Sequence, residues 1–424
     1  MILKEEMTDL AKRAHSASRR LSCLSSNDKN KCLLAMADAI EAHAPAIQKE
    51  NARDMTAGAE MGLPKPMLDR LLLDKGRISG MATGLREVAV LPDPVGRVIE
   101  ERSRPSGLKL TKVASPIGVI VIIYESRPNV TADAAGLCFK SGNATILRGG
   151  KEAVHSNKII AKIMVQAAAG ALPSFPANAI QVVPTTDRDA ITELLSLTRF
   201  VDLCIPRGGE SLIRAVTECS HVPVIKHYKG VCHVYIDADA DAAMAEEIVL
   251  NSKAHRPGVC NAAETLLVEK SVAANVLPRL GKRLAEANVE LRGDKPTHAL
   301  LDGSGIKLTP ASADDWDEEY LDLVLSVKIV DGIGEAIEHI STHGSGHTET
   351  IVTGDPAAAK RFQTEVDSST IFWNASTRFS DGMEFGMGAE IGISTDKIGA
   401  RGPMGLEELT SYKWLGVADG LIRK

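Results

Sequence analysis

Apolar residues in the first 90 positions recur every three or four residues. The repeat is clearest at Met7, Leu10, Ala14, Ala17, Leu21 and Leu24. Residues at this spacing share one face of a helix, so the segment is predicted to be helical. A second helix is predicted to follow Asn27, a suitable N-cap, and to run to Pro45.

From about residue 117 the pattern changes to short apolar strands that alternate with helical stretches such as residues 152–169 and 211–219. Alternation of this kind predicts parallel sheets with helices on both faces. The first series of strands is expected at residues 117–124, 144–147, 180–183, 203–205 and 222–225. A second series begins at Val231 and is expected to include residues 262–268, 323–330, 350–352 and 370–374.

A hairpin interrupts this rhythm before the first sheet. Residues 98–101 and 108–113 are strand-like and flank a turn at residues 102–107. A hairpin that projects from an α/β domain needs a partner to cover its edges.

Length and charge narrow the class of protein. At 424 residues the chain is too long for one core, so two or three domains are expected. The 49 basic and 55 acidic residues give a net charge of −6 with no basic block, which argues against nucleic-acid binding. The seven cysteines include no CxxC pair, so neither a disulfide framework nor a zinc ribbon is predicted. A charged start and short apolar runs predict a cytoplasmic protein with reduced thiols.

The segment His255-Arg-Pro-Gly-Val-Cys-Asn261 carries the strongest chemical signal. Pro257 and Gly258 force an irregular backbone before the apolar run that follows, so Cys260 should lie where a turn meets a strand. Such a thiol can act as a nucleophile, with Arg256 four residues before it as a nearby cation. The alternative is a buried structural cysteine, because free cysteine is among the most buried residue types.

Two glycine pairs suggest anion sites. Arg148-Gly-Gly-Lys151 closes a predicted strand and opens a helix, and Arg207-Gly-Gly-Glu210 repeats this layout. Backbone N–H groups at a helix N-terminus suit an anion. The dinucleotide fingerprint GxGxxG and the P-loop are absent, so a nucleotide would bind by another arrangement.

Three histidines, His339, His343 and His347, are spaced by four residues and invite the hypothesis of a metal site. Gly344 and Gly346 should end a helix before His347, and no HExxH motif is present. We therefore predict no metal.

Taken together, several segments resemble the aldehyde dehydrogenase superfamily and, within it, the branch that reduces L-glutamyl 5-phosphate in proline biosynthesis. The most specific is residues 330–351, here called the signature segment, which ends in His343-Gly-Ser-x-His347-Thr-Glu349-x-Ile351. Also similar are residues 124–131, 146–151, 230–235 and 256–261.

The resemblance implies roles for individual residues. Cys260 matches the nucleophile, and Asn129 matches the asparagine that binds the oxyanion. Glu319 matches the glutamate that holds the nicotinamide ribose, although Leu321-Asp322-Leu323 replaces the superfamily's Phe-Gly-Pro. Gly208 and Gly209 fall where the superfamily has its loop against the cofactor phosphates.

One departure bears on the reaction. Hydrolytic members carry a glutamate that activates water, whereas the corresponding stretch here, His227-Tyr-Lys-Gly230, has no carboxylate. The resemblance then implies that the Cys260 thioester exchanges its acyl group with phosphate. Lys253 and Arg256 are candidates to bind the phosphate or a carboxylate of the substrate, on charge and proximity alone. Arg148 and Lys151 replace the pattern that binds the adenosine ribose, and two cations there favour NADPH over NADH.

The expected fold is α/β and aldehyde dehydrogenase-like, with two parallel-sheet α/β domains and a β-hairpin oligomerisation element. Residues 1–95 and 114–230 should form the NADP-binding domain, and residues 231–400 the catalytic domain. Residues 96–113 and 401–424 are expected to be oligomerisation elements. The hairpin at 98–113 and the end of the chain, 412–424, should form strands that cross to a neighbouring subunit, which implies a homodimer or a larger homo-oligomer.

Two other functions stay open. One is an acylating aldehyde dehydrogenase that uses coenzyme A, against which the signature segment argues. The other is a scaffold without chemistry that binds glutamate 5-kinase, the preceding enzyme of the pathway and a candidate partner in either case. The presence of both Cys260 and Asn129 argues against it.

Overall fold

The computed structural model describes residues 2–423, which form two compact units. The first unit comprises the chain as far as Lys226, together with Gly386–Gly392 and the residues from Met404 onward. The second comprises His227–Phe385 and Ile393–Pro403. Met1 and Lys424, which the expected domain boundaries include, lie outside the described residues.

The first unit begins with helices, as predicted. Met7, Leu10 and Ala14 are buried, so the apolar spacing does mark the packed face of the first helix. The helices are α1 (Leu3–Leu21), α2 (Ser26–Ala42), α3 (Ala44–Glu60), α4 (Lys65–Leu71) and α5 (Lys75–Val90).

The expected ends of the second helix were wrong. Ser25, not Asn27, caps α2, because the Ser25 hydroxyl accepts a hydrogen bond from the Asp28 backbone N–H at 3.2 Å. The helix stops at Ala42. Pro45 instead lies in the first turn of α3, where its missing N–H has no intrahelical partner to lose.

A three-stranded antiparallel sheet contains the predicted hairpin. The central strand β2 pairs on one side with β1 and on the other with the strand near the end of the chain. The hairpin and the terminal strand, for which the sequence suggested no partner within the chain, therefore pair with each other. The strands are β1 (Val98–Ser103), β2 (Lys109–Pro116) and β16 (Thr410–Val417).

The first parallel sheet has the strand order β5-β4-β3-β6. All six residues of β3 are buried, which explains its unbroken apolar sequence. The elements are β3 (Val119–Tyr124), α6 (Val130–Lys140), β4 (Ala144–Gly149), α7 (Val154–Ala171), β5 (Ile180–Val182), α8 (Asp189–Leu195), β6 (Leu203–Arg207) and α9 (Glu210–Cys219).

The strand expected at 222–225 was wrong. Val224 forms only an isolated bridge with Cys204. Pro223 lies within the run and has no N–H to donate to a ladder, so the pairing stops there.

The second unit contains a seven-stranded parallel sheet with the order β10-β9-β11-β8-β7-β12-β13. Its core contains two apolar clusters. One includes Leu266 and Val327, and the other includes Tyr235 and Phe362. The elements are β7 (Cys232–Ile236), α10 (Ala242–Ala254), β8 (Ala263–Glu269), α11 (Lys270–Glu286), β9 (Glu290–Gly293), α12 (Lys295–Leu301), β10 (Leu308–Pro310), β11 (Val324–Val330), α13 (Ile333–His343), β12 (Thr348–Val352), α14 (Pro356–Glu365) and β13 (Thr370–Trp373).

Two short strands, β14 (Gly392–Ser394) and β15 (Gly402–Met404), pair where the chain passes between the units. In the described part of the chain, no helix is long and apolar enough to span a bilayer.

Candidate active site

Cys260 lies in the turn between α10 and β8, three residues before the strand begins, as the sequence predicted. Its side chain is half-buried. Several polar contacts hold this turn in place. The Cys232 thiol donates to the Cys260 carbonyl at 3.2 Å, and the Thr377 hydroxyl donates to the neighbouring Asn261 carbonyl at 2.7 Å. The main chain around the nucleophile is therefore restrained from two sides.

Gly230 lies directly against the main chain of Cys260. A Cβ atom built on Gly230 would be 2.8 Å from both the carbonyl carbon and the Cα of Cys260, and closer still to the carbonyl oxygen. Real Cβ atoms do not approach backbone so closely, so only glycine fits here. The stretch without a carboxylate, His227-Tyr-Lys-Gly230, thus ends in contact with the candidate nucleophile.

The signature segment holds the residues that directly follow Gly230 in place. The Ser345 hydroxyl accepts from the Val231 backbone N–H at 2.9 Å. The Glu349 carboxylate accepts from the His233 backbone N–H at 2.8 Å and contacts its ring Nδ1 at 2.9 Å. Residues 231–233 follow Gly230 directly, so these contacts determine where Gly230 meets Cys260.

His347 and His339 are neutral. Burial first, and then the neighbouring His227, lower the pKa of His347 to about 3. Burial first, and then His233, lower the pKa of His339 to about 2. The His347 ring lies 3.6 Å (Nδ1 to Sγ) from Cys232, which in turn contacts the Cys260 carbonyl.

The helix break predicted before His347 is confirmed, since α13 ends at His343 and Gly346 has φ +72°. His339 and His343 contact each other with ring centroids 4.6 Å apart, whereas His347 contacts the residues near Cys260. Among the described residues no group of three potential ligands could hold a metal ion.

Lys253 is placed differently from the expectation that it binds substrate. Its side chain is fully buried and its Nζ lies 2.5 Å from a carboxylate oxygen of Glu264, which is also buried. Burial is the main cause of both pKa shifts: it lowers the pKa of Lys253 and raises the pKa of Glu264 to about 8. This pair occupies the lysine, which argues against its expected contact with a phosphate.

Glu264 was missed by the sequence analysis and connects the pair to the loop that contains Glu319. Its other carboxylate oxygen accepts from the Leu321 backbone N–H at 3.4 Å, and Leu321 has φ +53°. The signal for Glu264 was a charge at the second position of a strand whose later residues, Leu266–Val268, are apolar and buried.

In the first unit, Asn129 precedes the first turn of α6, and its side-chain amide donates to Asp133 at 3.0 Å. Burial raises the pKa of Asp133 to about 6, and the hydrogen bond from Asn129 opposes this shift. One amide hydrogen of Asn129 is thus used in a contact that orients its side chain.

Arg148 and Lys151 flank the turn between β4 and a 3₁₀ turn at Lys151–Ala153. Arg148 donates to the carbonyls of Gly149 and Thr186, each at 3.1 Å, while its buried Nε has no partner. Burial lowers the pKa of Arg148, against the nearby charge of Glu152. Lys151 is exposed. The cationic pair fits a phosphate group.

Gly208 and Gly209 end β6 and precede α9. A Cβ on Gly208 would be 2.6 Å from Leu212 Cδ2, whereas one on Gly209 would meet open space. The Gly209 N–H donates to the Glu125 carboxylate at 3.3 Å. Their contact with cofactor phosphates stays a prediction.

Comparison with known proteins identifies the family. The model of the aldehyde dehydrogenase family matches residues 2–299. A gamma-glutamyl phosphate reductase of Geotalea daltonii is 52% identical over the full length of both chains. The crystal structure of gamma-glutamyl phosphate reductase from Thermotoga maritima superimposes with a TM-score of 0.96 at 40% identity, covering 99% of this chain and 100% of that one.

This chain belongs to the aldehyde dehydrogenase family.

The predicted α/β fold is therefore confirmed, and the family uses a nicotinamide cofactor. A propionaldehyde dehydrogenase from Rhodopseudomonas palustris, solved with bound coenzyme A, is 15% identical and has a TM-score of 0.66, with 96% of each chain covered. At that identity the likeness shows the fold alone. Gly230 meets the main chain of Cys260, the residue predicted to be the nucleophile.

We predict that Gly230→Ala will displace the Cys260 main chain and lower the turnover number, because an error of about 1 Å at a reacting group can cost ~10²-fold. The variant should also slow alkylation of Cys260 by iodoacetamide, measured on the Cys260 peptide by mass spectrometry. Gly334→Ala is the matched control, since its Cβ in α13 would have only Arg361 within 4 Å, at 3.8 Å. A Gly230→Ala enzyme as active and as reactive as the control would contradict this account.

Proposed function

We propose that the chain catalyses the NADPH-dependent reduction of L-glutamyl 5-phosphate to L-glutamate 5-semialdehyde and phosphate, the second step of proline biosynthesis from glutamate. The observation that carries the proposal is that the signature segment binds residues 231–233, of which Cys232 donates to the Cys260 carbonyl. Full-length similarity to two gamma-glutamyl phosphate reductases supports the same substrate.

In the proposed reaction the Cys260 thiolate attacks the acyl-phosphate carbonyl, and the bond to phosphate breaks as the thioester forms. The backbone N–H of Cys260 and the Asn129 amide would stabilise the oxyanion, and loss of one such donor typically costs ~10²–10³ in turnover. The hydrogen bond to Asp133 supports this role of Asn129, because it limits the rotation of the amide.

The cofactor assignment rests on Arg148, Lys151, Gly208 and Gly209 in the first unit and on Glu319 in the second. NADPH, when bound, supplies the hydride that reduces the thioester. Arg148 and Lys151 would bind its 2′-phosphate, and Glu319 its nicotinamide ribose. Gly208 and Gly209 would lie against its phosphates. None of the seven cysteines forms a disulfide in the described residues, which supports the predicted cytoplasmic location.

The absence of a carboxylate in the stretch that ends at Gly230 supports phosphate, rather than water, as the group that exchanges with the thioester. Arg256, which is exposed and lies four residues before Cys260, would contact the substrate's phosphate or carboxylate. Lys253 is not included, because it is paired with Glu264.

We predict that Cys260→Ser will lower phosphate-dependent oxidation of the semialdehyde at least ~10³-fold, because the nucleophile is lost. Reduction of NADP⁺ is the readout, and Cys23→Ser, at an exposed cysteine, is the matched control. Omitting phosphate should stop the wild-type reaction, and coenzyme A should not replace it. Full activity of Cys260→Ser, or equal rates without phosphate, would exclude the proposed reaction.

Cofactor preference gives a second test. Lys151→Glu should weaken NADPH binding at least ~10-fold and narrow the gap to NADH, since one charge-assisted contact is worth about 1.5–3 kcal/mol. Lys162→Glu makes the same charge change at an exposed position of α7 and should alter neither affinity. Fluorescence titration measures both. If Lys151→Glu and Arg148→Ala both bind NADPH like the wild type, another site determines the preference.

We also propose that the chain forms at least a homodimer through the sheet of β1, β2 and β16. Each of the two edge strands exposes apolar side chains, among them Val98, Ile99, Trp414, Leu415 and Val417. Apolar residues on unpaired edges are typical of strands that pair with another chain. Sedimentation at micromolar concentration should show a dimer or a larger species, and a stable monomer would refute the proposal.

A further inference from the structure

Arg378 lies beside the candidate nucleophile, and nothing in the sequence analysis singled it out. It occupies a 3₁₀ turn, Thr377–Phe379, which follows β13. Two hydrogen bonds join the ends of this turn to the residue next to Cys260. The Thr377 hydroxyl donates to the Asn261 carbonyl at 2.7 Å, and the Asn261 amide donates to the Ser380 carbonyl at 2.9 Å.

A second pair of contacts fastens the same turn to α10, the helix that precedes the Cys260 turn. The Thr377 backbone N–H donates to the Ser252 hydroxyl at 3.2 Å, and the hydroxyls of Ser252 and Ser376 lie 3.0 Å apart. The residues that make these contacts are all buried: Ser252, Asn261, Ser376, Thr377 and Ser380. Arg378 is thus presented from a rigid support.

Arg378 forms no ion pair within residues 2–423, although the charge of Asp381, three residues further along the chain, acts on it. The second unit contains seven arginines, and in the described residues five of them form ion pairs with carboxylates: Arg279, Arg283, Arg292, Arg361 and Arg401. The two without such a pair there are Arg256 and Arg378. The Nε of Arg378 is buried and has no hydrogen-bond partner.

These two arginines and Cys260 act on one another. Burial first, and then the positive charge of Arg256, lower the pKa of Arg378, while Asp381 and Cys260 oppose the shift. Asp381 offsets part of the repulsion between the two guanidinium groups but forms no ion pair with either in the described residues, so an anion bound between them would lower the free energy further. A thiolate and a substrate anion are the charges that the proposed reaction brings to this place.

We propose that Arg256 and Arg378 form an anion-binding subsite beside Cys260 that takes an oxyanion group of the substrate, either the phosphoryl group or the α-carboxylate. Both groups match the planar fork of a guanidinium, which can donate two parallel hydrogen bonds to them. Arg378 supplies a half-buried donor on a rigid support, and Arg256 supplies an exposed one. The inference rests on the proposed function for the identity of the substrate, but not for the existence of the subsite.

The subsite can be tested without turnover. Iodoacetate is anionic and iodoacetamide neutral, so the ratio of their alkylation rates at Cys260 reports the local positive charge. We expect Arg378→Gln to lower this ratio at least ~3-fold, because the steering charge is removed. Inorganic phosphate should protect Cys260 of the wild type from iodoacetate but protect the variant less. Mass spectrometry of the Cys260 peptide separates it from Cys23 and Cys219, the other two cysteines that are not fully buried.

Arg361→Gln is the matched control, because it makes the same change at an exposed arginine of α14 that pairs with Glu365. It should leave the ratio unchanged. Arg256→Gln provides a second variant whose folding is not in question, since the side chain is exposed, and it should also lower the ratio. Circular dichroism confirms that each variant is folded.

Steady-state kinetics distinguish the two oxyanions. If the subsite takes the phosphoryl group, Arg378→Gln should raise the KM for phosphate at least ~10-fold and leave the KM for the semialdehyde within about twofold. If the subsite takes the α-carboxylate, Arg378→Gln should instead raise the KM for the semialdehyde at least ~10-fold and leave the KM for phosphate within about twofold. Either result supports the subsite.

An unchanged alkylation ratio in both Arg378→Gln and Arg256→Gln would overturn the proposal. So would a lower ratio with both KM values unchanged, because the arginines would then act on the thiol and not on a substrate. A wild-type enzyme without phosphate-dependent activity would instead refute the proposed function. In that case the alkylation ratio and the protection by phosphate still show whether the anion-binding subsite exists.

Discussion

The candidate active site depends on one close approach, between the main chain of Gly230 and the main chain of Cys260. No Cβ fits there, so two backbone segments from different parts of the second unit meet with nothing between them. Such a contact restrains the position of the candidate nucleophile, provided that both segments are held. The polar contacts around the site supply that restraint.

The signature segment can be understood in this light. Ser345 and Glu349 bind backbone N–H groups of the residues that follow Gly230, and His347 packs against Cys232. Burial keeps the imidazole of His347 neutral. A neutral ring can be enclosed without the cost of a buried charge, so this histidine contributes shape and hydrogen bonds rather than acid–base chemistry.

The charged residues near Cys260 fall into two groups, a buried ion pair with a structural role and arginines available to bind an anion. Lys253 and Glu264 neutralise each other in the interior, and Glu264 also restrains the backbone at Leu321, two residues after Glu319. A buried pair of this kind is strongly destabilised when one partner is removed, so it is suited to a structural role. In the part of the chain that the structure describes, Arg256 and Arg378 form no ion pair with a carboxylate, and Arg378 is close enough to the candidate nucleophile Cys260 for their charges to interact. An anionic substrate could therefore pair with these arginines, whereas the charge of Lys253 is already paired with Glu264.

The sequence by itself determined the class of fold and the place of the candidate nucleophile, Cys260, in a turn before a strand. Apolar periodicity is a local property, so the helices at the start, the two parallel series and the turn before β8 could be read from spacing and from Pro257 and Gly258. Local sequence could not tell which segments pair over long distances. The strand near the end of the chain therefore seemed unpartnered, and a proline removed the strand expected at 222–225. Only the tertiary structure showed that Lys253 is paired with Glu264 and that Arg378, 118 residues after Cys260, lies beside it. A sequence shows how many charged residues a chain has. Whether a given charge is free to bind a ligand depends on which residues, distant in sequence, folding places next to it.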